Sequence, residues 1–178
     1  MKLLFISDIH GIKTNLPKIK ERFEELECDK LVVLGDLFYI GPRNKMIEGY
    51  DIEYVKEFLN SFKDKIICVQ GNCDSEVDKM VCEFPIVSEL GVISTINEDL
   101  YITHGHIYNE SNWNLTNSTL IYGHLHIPFI KQIETNTYIN PGSISLPKNG
   151  IPTYLFYNEE EFIIYDIEDN EVEKKSLI

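Results

Sequence analysis

The chain lacks the features that mark membrane, secreted and disulfide-rich proteins. No apolar run approaches the roughly 18 residues that span a bilayer. The apolar run that follows Lys2 ends at Asp8, which is too early for a secretory signal. The four cysteines form no C-x-x-C pair, so we expect four reduced thiols. These absences predict a soluble cytoplasmic protein with no membrane partner.

Positive charge is also scarce. The 178 residues include 16 lysines and arginines against 29 acidic residues, for a formal net charge of −13. Each contact to a nucleic-acid phosphate needs a cation, so this balance disfavours long nucleic acid and favours a small ligand. Phosphate chemistry would need a local positive centre stronger than the overall field. The length fits one domain over residues 1–178 and leaves a homo-oligomer open.

Histidine has the most informative distribution along the chain. All five histidines lie in three short patches, D-I-H, H-G-H and G-H-L-H. Imidazole is a common transition-metal ligand and acid/base group, so the clustering indicates a functional site rather than strand ends that tolerate any polar residue. Two patches of similar design, Gly35-Asp36 and Gly71-Asn72, strengthen that interpretation.

Each of these five patches follows an apolar run. The runs begin at Leu3, Leu31, Ile66, Leu100 and Leu120. Continuous runs of this length predict strands that are buried on both faces. Helical spacing over residues 16–26, after Thr14 or Asn15 as cap, and over residues 52–62, after Asp51, predicts two helices. The resulting βαβαβ order predicts a parallel sheet, which binds ligands at the carboxyl ends of its strands.

The second half of the chain has a different pattern. Short strands are predicted over residues 92–96, 129–133, 137–139, 153–157 and 161–167. We expect mostly antiparallel pairing there, and we expect the two halves of the chain to form two sheets on a shared core. Glu159–Glu161 is predicted to be a solvated hairpin turn and Lys174-Lys175 a solvated tail.

Seven potential metal ligands lie at the predicted strand ends. They are Asp8, His10, Asp36, Asn72, His104, His124 and His126. This set is too large for one tetrahedral zinc ion and suits two adjacent divalent ions, with one carboxylate bridging them. Alternate residues of an extended chain point the same way, so each D-x-H or H-x-H pair would reach one centre. Glycines at positions 35, 71, 105 and 123 would permit tight turns beside the ions.

The five patches, in this order and at these separations, resemble the calcineurin-like metallophosphoesterases. The segments Gly41–Asn44, Gly71–Asp78 and Asn140–Ser143 are similar to the small bacterial phosphodiesterases of the YfcE type, and the likeness covers essentially the whole chain. The resemblance implies an α/β fold, a four-layer αββα sandwich of the metallo-dependent phosphatase type, with two mixed β-sheets flanked by helices. It also implies a binuclear metal-dependent phosphodiester hydrolase.

The resemblance distributes roles among the ligands. Asp8, His10 and His126 would hold the first ion, Asn72, His104 and His124 the second, and Asp36 would bridge both. With Asp8, Asp36 and a hydroxide, two divalent ions leave a local charge of about +1, enough to capture one phosphodiester. Activated water would then attack phosphorus in line, with Asp36 and Asn72 as catalytic ligands. His106 is expected to face the substrate, with a structural role equally open.

Cys73 departs from the wider family, in which a histidine that can protonate the leaving group follows the ligand Asn. A thiol with an ordinary pKa near ~8.5 is a poor general acid, so a packing role is favoured for Cys73, which also enters the expected set of substrate-binding residues. Asp74 or a bound water would then have to donate the proton. This substitution predicts a preference for diesters with good leaving groups.

The segment between Asp36 and Asp51 is long for a crossover connection and is a candidate substrate lid. Within it, Arg43 would clamp a phosphate oxygen, with a surface salt bridge as the alternative, and Asn44 is a second candidate contact. Both residues enter the expected set of substrate-binding groups, and Arg43 also enters the catalytic set.

The leading hypothesis is a phosphodiesterase that acts on a small phosphodiester with two divalent ions. Manganese is favoured because the ligands mix carboxylate, amide oxygen and imidazole. A phosphomonoesterase and a non-catalytic interaction module on the same scaffold are the alternatives.

Overall fold

The computed structural model describes residues 1–42 and 47–177. Within those ranges the helices are α1 (Leu16–Glu25), α2 (Ile52–Ser61) and α3 (Glu76–Val81). The strands are β1 (Leu3–Ile6), β2 (Lys30–Val33), β3 (Ile66–Val69), β4 (Ile86–Val87), β5 (Leu90–Ser94), β6 (Asp99–Thr103), β7 (Thr119–Tyr122), β8 (Pro128–Ile133), β9 (Asn136–Pro141), β10 (Thr153–Tyr157), β11 (Glu161–Asp166) and β12 (Glu171–Ser176). None of the described helices is long and apolar enough to cross a membrane. All four cysteines are free thiols.

The five apolar runs form strands, as predicted. They are β1, β2, β3, β6 and β7. β1 pairs in parallel with β2 and β2 with β3, and β6 pairs in parallel with β7. Each strand is followed by its polar patch. The polar patches therefore lie at the carboxyl ends of two parallel sets of strands.

The two predicted helices are also present, with different capping. Asp51 caps α2 by accepting a hydrogen bond from the backbone N–H of Tyr54 at 3.1 Å. Asn15 occupies the cap position of α1 without capping it, because its side chain donates instead to the carbonyl of Ile144 at 2.7 Å. The short helix α3 was not predicted, and it begins at a capping box formed by Ser75 and Asp78.

The sheets do not correspond to the two halves of the chain, so that prediction was wrong. One sheet has the order β12-β11-β10-β1-β2-β3-β4 and the other β5-β6-β7-β9-β8. β10 pairs antiparallel with β1, so the last three strands extend the first sheet. This pairing satisfies the free backbone groups along the edge of β1. The predicted tail at Lys174-Lys175 lies in β12, a strand whose side chains are mostly exposed.

Alternating side chains divide the core into separate layers. In β1, Leu4 and Ile6 contact α1 and α2, whereas Leu3 and Phe5 face the second sheet. In β7, Ile121 joins the core between the sheets, and its neighbours Leu120 and Tyr122 lie on the outer face. β1 is therefore buried on both faces, which explains the unbroken apolar character of its sequence.

The predicted sandwich of two mixed sheets is confirmed, and its two outer layers differ. α1 and α2 cover the first sheet, whereas residues 105–118 cover the second sheet and contain no helix in the part of the chain that the structure describes. Trp113 anchors this segment against Tyr101, with ring centroids 5.2 Å apart. Asn109 and Asn112 bond to nearby backbone groups, which competes with helix formation.

Replacing Ile121 by Ala tests the core between the sheets. Ile121 is 0% exposed, so we expect the substitution to lower the free energy of unfolding by about 3 kcal/mol. Ile133→Ala is the matched control, because Ile133 is 43% exposed and should cost under about 1 kcal/mol. Urea denaturation measures both, and equal losses would contradict this description of the core.

Candidate metal centre

The structure brings all seven predicted ligands to one edge of the sandwich. Asp8 and His10 follow β1, Asp36 follows β2, and Asn72 follows β3, while His104, His124 and His126 follow β6 and β7 of the second sheet. Backbone hydrogen bonds join the first two loops, because the N–H of His10 donates to the carbonyl of Asp36 at 2.9 Å. The centre therefore lies where the two sheets meet.

Left-handed backbone positions the ligands, which the sequence analysis did not anticipate. The D-x-H and H-x-H pairs were expected to project from extended chain, but the backbone turns at these residues. The φ angles are 56° at Asp8, 51° at His10, 58° at Asp36, 65° at His124 and 58° at His126. Such values cost roughly 1 kcal/mol or more for a non-glycine residue, and they are typical of sites whose surroundings impose the geometry.

Glycine is required where the loops approach each other. A Cβ on Gly71 would lie 2.2 Å from Oδ1 of Asp36, and one on Gly123 would lie 1.8 Å from Oγ of Ser7 and 2.8 Å from Oδ2 of Asp8. A larger residue would displace Asp36 at the first position, and Ser7 and Asp8 at the second. The predicted role of Gly71 and Gly123 in permitting close approach therefore has a steric basis at both positions.

Three histidines share one orientation. In each, Nδ1 lies within hydrogen-bond distance of a backbone carbonyl, so it carries the proton and donates it. The pairs are His10 with Tyr39 at 2.7 Å, His104 with Leu34 at 2.6 Å and His126 with Leu146 at 2.7 Å. This arrangement leaves Nε2 of each ring directed into the centre, as in metal-binding histidines whose other nitrogen is hydrogen-bonded.

The first group of acceptors consists of Asp8, His10 and His126. Nε2 of His126 lies 3.1 Å from Oδ1 of Asp8 and 3.4 Å from Nε2 of His10. One ligand atom from each residue falls within 4.8 Å of the others. In the described part of the chain, Oδ1 of Asp8 is buried without a hydrogen-bond donor. Buried acceptors that face one another in this way fit a bound cation.

The second group surrounds His104. Its Nε2 lies 3.0 Å from Oδ1 of Asn72 and 3.4 Å from Oδ2 of Asp36, and its ring centroid is 5.1 Å from that of His124. Oδ2 of Asp36 is also 3.6 Å from Nε2 of His10, in the first group. Asp36 therefore lies within reach of both groups.

The electrostatics of the centre favour positive charge. Burial raises the pKa of Asp36, but its hydrogen bonds to His104 and to the N–H of Cys73 hold that pKa well below the usual range. Burial lowers the pKa of His104, whereas the hydrogen bond to Asp36 and the charges of Asp8 and Asp36 raise it to about 9. Ionised buried carboxylates create this field, and divalent ions would satisfy it. The donor set thus fits divalent metal ions.

Asp74 does not have the geometry of the proton donor that the sequence analysis proposed. Its Oδ2 accepts hydrogen bonds from the N–H groups of Asp36 and Gly71 at 2.9 and 2.7 Å, and its Oδ1 accepts one from Leu37 at 2.7 Å. Burial raises its pKa, and these three bonds oppose that rise. Because both oxygens are held by backbone donors, Asp74 joins the loops after β2 and β3 and acts as a positioning residue.

Cys73 lies beside the centre with its thiol protonated. Its backbone N–H donates to Oδ1 of Asp36 at 2.8 Å, and Nδ2 of Asn72 contacts its sulfur at 3.3 Å. Burial and the charge of Asp36 raise the pKa of the thiol to about 12. A thiol with so high a pKa gives up its proton poorly, which agrees with the expected packing role.

A cavity of about 850 Å³ opens above the ligands. The described residues that line it are His10, Asp36, Tyr39, Ile40, Gly41, Pro42, Asn72, Cys73, Asp74, Ser75, His124, His126, Leu146 and Lys148. His106 is not in this set, and its ring lies 5.4 Å from that of His104 and 6.2 Å from that of His124. Arg43 and Asn44 fall outside the described residues. Leu146 and Lys148 also line the cavity, although no sequence motif indicated them.

Replacing Asp74 by Asn tests its positioning role. The amide would present an NH₂ group to backbone donors, so we expect a loss of about 1–3 kcal/mol in the free energy of unfolding and weaker manganese binding. Glu76→Gln is the control, because Glu76 is an exposed acid on the adjoining helix α3. Urea denaturation and calorimetric titration with manganese give the two values. If the free energy of unfolding and the affinity for manganese are both unchanged, Asp74 does not position the site.

Known proteins match the chain over most of its length. Residues 1–162 match the family model described as a calcineurin-like phosphoesterase superfamily domain. The chain is 42% identical over 154 residues to phosphodiesterase YfcE of Escherichia coli strain K12, and the match covers 85% of this chain and 84% of that protein. It is 28% identical over 162 residues to phosphodiesterase MJ0936 of Methanocaldococcus jannaschii, and this match covers 86% of this chain and 90% of that protein.

Solved structures show the same relationship. The structure of YfcE, a phosphoesterase from E. coli, covers all of both chains with a TM-score of 0.95 at 36% identity. A mutant Vps29 from Entamoeba histolytica also covers both chains fully, with a TM-score of 0.62, but its 19% identity shows the fold alone. The resemblance in the motifs is confirmed by these matches. The chain belongs to the calcineurin-like phosphoesterase superfamily.

Proposed function

We propose that this protein hydrolyses small phosphodiesters with two divalent metal ions. One observation carries the proposal: the buried carboxylates of Asp8 and Asp36 lie among the Nε2 atoms of His10, His104 and His126 beside an open cavity. The relatives YfcE and MJ0936, which are described as phosphodiesterases, support the choice of reaction.

The proposed ligand sets follow the two groups of side chains. Asp8, His10 and His126 would hold one ion, Asn72, His104 and His124 would hold the other, and Asp36 would bridge them. The distances from Oδ2 of Asp36 to Nε2 of His10 and to Nε2 of His104, 3.6 and 3.4 Å, support the bridging role. Oxygen and imidazole ligands together favour manganese, although other first-row ions bind such sets more tightly.

The chain's own residues set the remaining requirements of the reaction. When bound, divalent ions would supply the positive charge that captures the diester and acidifies an attacking water. The carbonyl groups of Tyr39, Leu34 and Leu146 accept hydrogen bonds from Nδ1 of the imidazoles, so that each ring presents Nε2 to a bound ion. Asp74 holds the backbone of Asp36, and so fixes the residue that both ligand groups share.

The choice between phosphodiesters and phosphomonoesters depends on whether a side chain can protonate the leaving group. Cys73 occupies the position after Asn72, and its raised pKa makes it a poor donor. Asp74 has both oxygens bonded to the backbone. With neither group suited to donate, we expect esters with good leaving groups to react fastest, which disfavours monoesters.

Metal dependence tests the proposed function. Bis(4-nitrophenyl) phosphate should be hydrolysed by the manganese-loaded protein, and removal of metal by a chelator should abolish hydrolysis until manganese is restored. Asp36→Asn should lower kcat about a thousandfold or more, because it removes the shared charge. An inert protein after manganese loading, with metal bound as measured by elemental analysis, would favour a non-catalytic module on this scaffold.

The role of Cys73 has its own test. Cys73→Ser keeps the size of the side chain and the N–H bond to Asp36, so we expect kcat for bis(4-nitrophenyl) phosphate to change less than about threefold. Cys82→Ser is the matched control, because Cys82 is partly buried and does not line the cavity. A hundredfold loss in Cys73→Ser alone would show that the thiol takes part in the chemistry.

A further inference from the structure

We propose that Lys148 binds a second anionic group of the substrate, so that the preferred phosphodiesters carry negative charge on one arm in addition to the diester itself. This inference rests on the phosphodiesterase function proposed above and narrows its substrate class. Lys148 belongs to the turn after β9 and lines the cavity beside His126 and Leu146.

The turn that carries Lys148 is tied to the proposed ligands by backbone bonds. The N–H of Lys148 donates to the carbonyl of His126 at 3.0 Å, and the ring of His126 donates to the carbonyl of Leu146 at 2.7 Å. Oγ of Ser143 donates to the carbonyl of Asp8 at 2.9 Å and accepts from the N–H of Leu146 at 2.8 Å. The backbone of Lys148 is therefore held at a set position relative to Asp8 and His126, which a specific binding residue requires.

The charge of Lys148 is not neutralised within the described part of the chain. No carboxylate there forms an ion pair with it, although the protein has 29 acidic residues against 16 lysines and arginines. The lysines that do pair with carboxylates are Lys2, Lys13, Lys18, Lys56, Lys63, Lys79, Lys131 and Lys174. In so acidic a protein, an unpaired cation at the cavity is available to a ligand anion.

Among the described residues that line the cavity, Lys148 is the one lysine or arginine. The net charge of about +1 expected at the metal centre is matched by the single charge of a diester, so a second anion would find no partner there. Lys148 supplies that partner at a separate place. Tyr39, 49% exposed, and Leu146 offer apolar surface to the linking part of the arm.

Matched synthetic esters test this assignment. The neutral pair carries 4-nitrophenol and either a propyl or a hexyl arm on the phosphate, and the charged pair carries 2-carboxyethyl or 5-carboxypentyl arms instead. The two arm lengths allow for the reach of the lysine. We expect the wild-type protein to hydrolyse at least one charged ester with about tenfold higher kcat/KM than its neutral partner, mainly through KM.

Variants of Lys148 should change the ratio of kcat/KM between charged and neutral esters. Lys148→Ala and Lys148→Gln should remove the preference for the charged arm while leaving kcat/KM for the neutral esters within about twofold, and Lys148→Arg should retain it. Lys20→Ala, at an exposed site on α1, controls for the loss of one surface charge. Calorimetric binding of the matching alkyl and carboxyalkyl phosphates gives a readout that does not depend on turnover.

The possible failures are distinguishable. An equal ratio of charged to neutral kcat/KM in wild type and Lys148→Ala would overturn the assignment while the proposed function stood. Equal loss on all four esters in Lys148→Ala would also overturn it, since that result indicates a role in structure or in the chemistry common to every ester. No hydrolysis of any ester by the manganese-loaded wild type would overturn the proposed function, and this inference with it.

Discussion

The burial of two carboxylates, Asp8 and Asp36, is the constraint on which the rest of the site depends. They are 0% and 2% exposed, and ionised groups so buried need compensating positive charge. Three imidazoles with Nδ1 held by backbone carbonyls, together with Asn72, surround the two carboxylates. The negative charge of the carboxylates raises the pKa of His104 and would stabilise bound divalent ions. The chemistry of the protein is therefore concentrated at one point, where the carboxyl ends of two sets of parallel strands meet.

The loops that carry the candidate ligands have an unfavourable backbone conformation, which the surrounding structure maintains. Five of the seven candidate ligands have positive φ, and hydrogen bonds join the loops that carry them. Asp74 links the loops after β2 and β3, and Ser143 links the turn after β9 to Asp8. The buried strands β1 and β7 give these loops rigid origins. This strain persists because the packed sheets fix both ends of each loop and so restrict its conformation.

Some elements could be predicted from local pattern and others could not. The apolar runs ending at Asp8, Asp36 and His124 identified their strands, because a strand buried on both faces has no polar position. The placement of β10–β12 beside β1 was missed, since a further strand can pair with either free edge of a sheet and sequence order does not choose between them. Residues 105–118 cover the second sheet without a helix because several asparagines bond locally to the backbone.

By itself, the sequence determined which residues could form the centre: the order of the patches, the ligand types and the glycines are all visible in it, and so is the family resemblance. Only the tertiary structure decided how they are used. In the structure, Asp74 accepts backbone hydrogen bonds from the loops after β2 and β3, so it is a positioning residue rather than the expected proton donor. His106 lies beside His104 and His124 and does not line the cavity, whereas Lys148 does. The physical reason is that hydrogen-bond partners and burial depend on which loops meet, and those loops lie more than a hundred residues apart for Asp8 and His126.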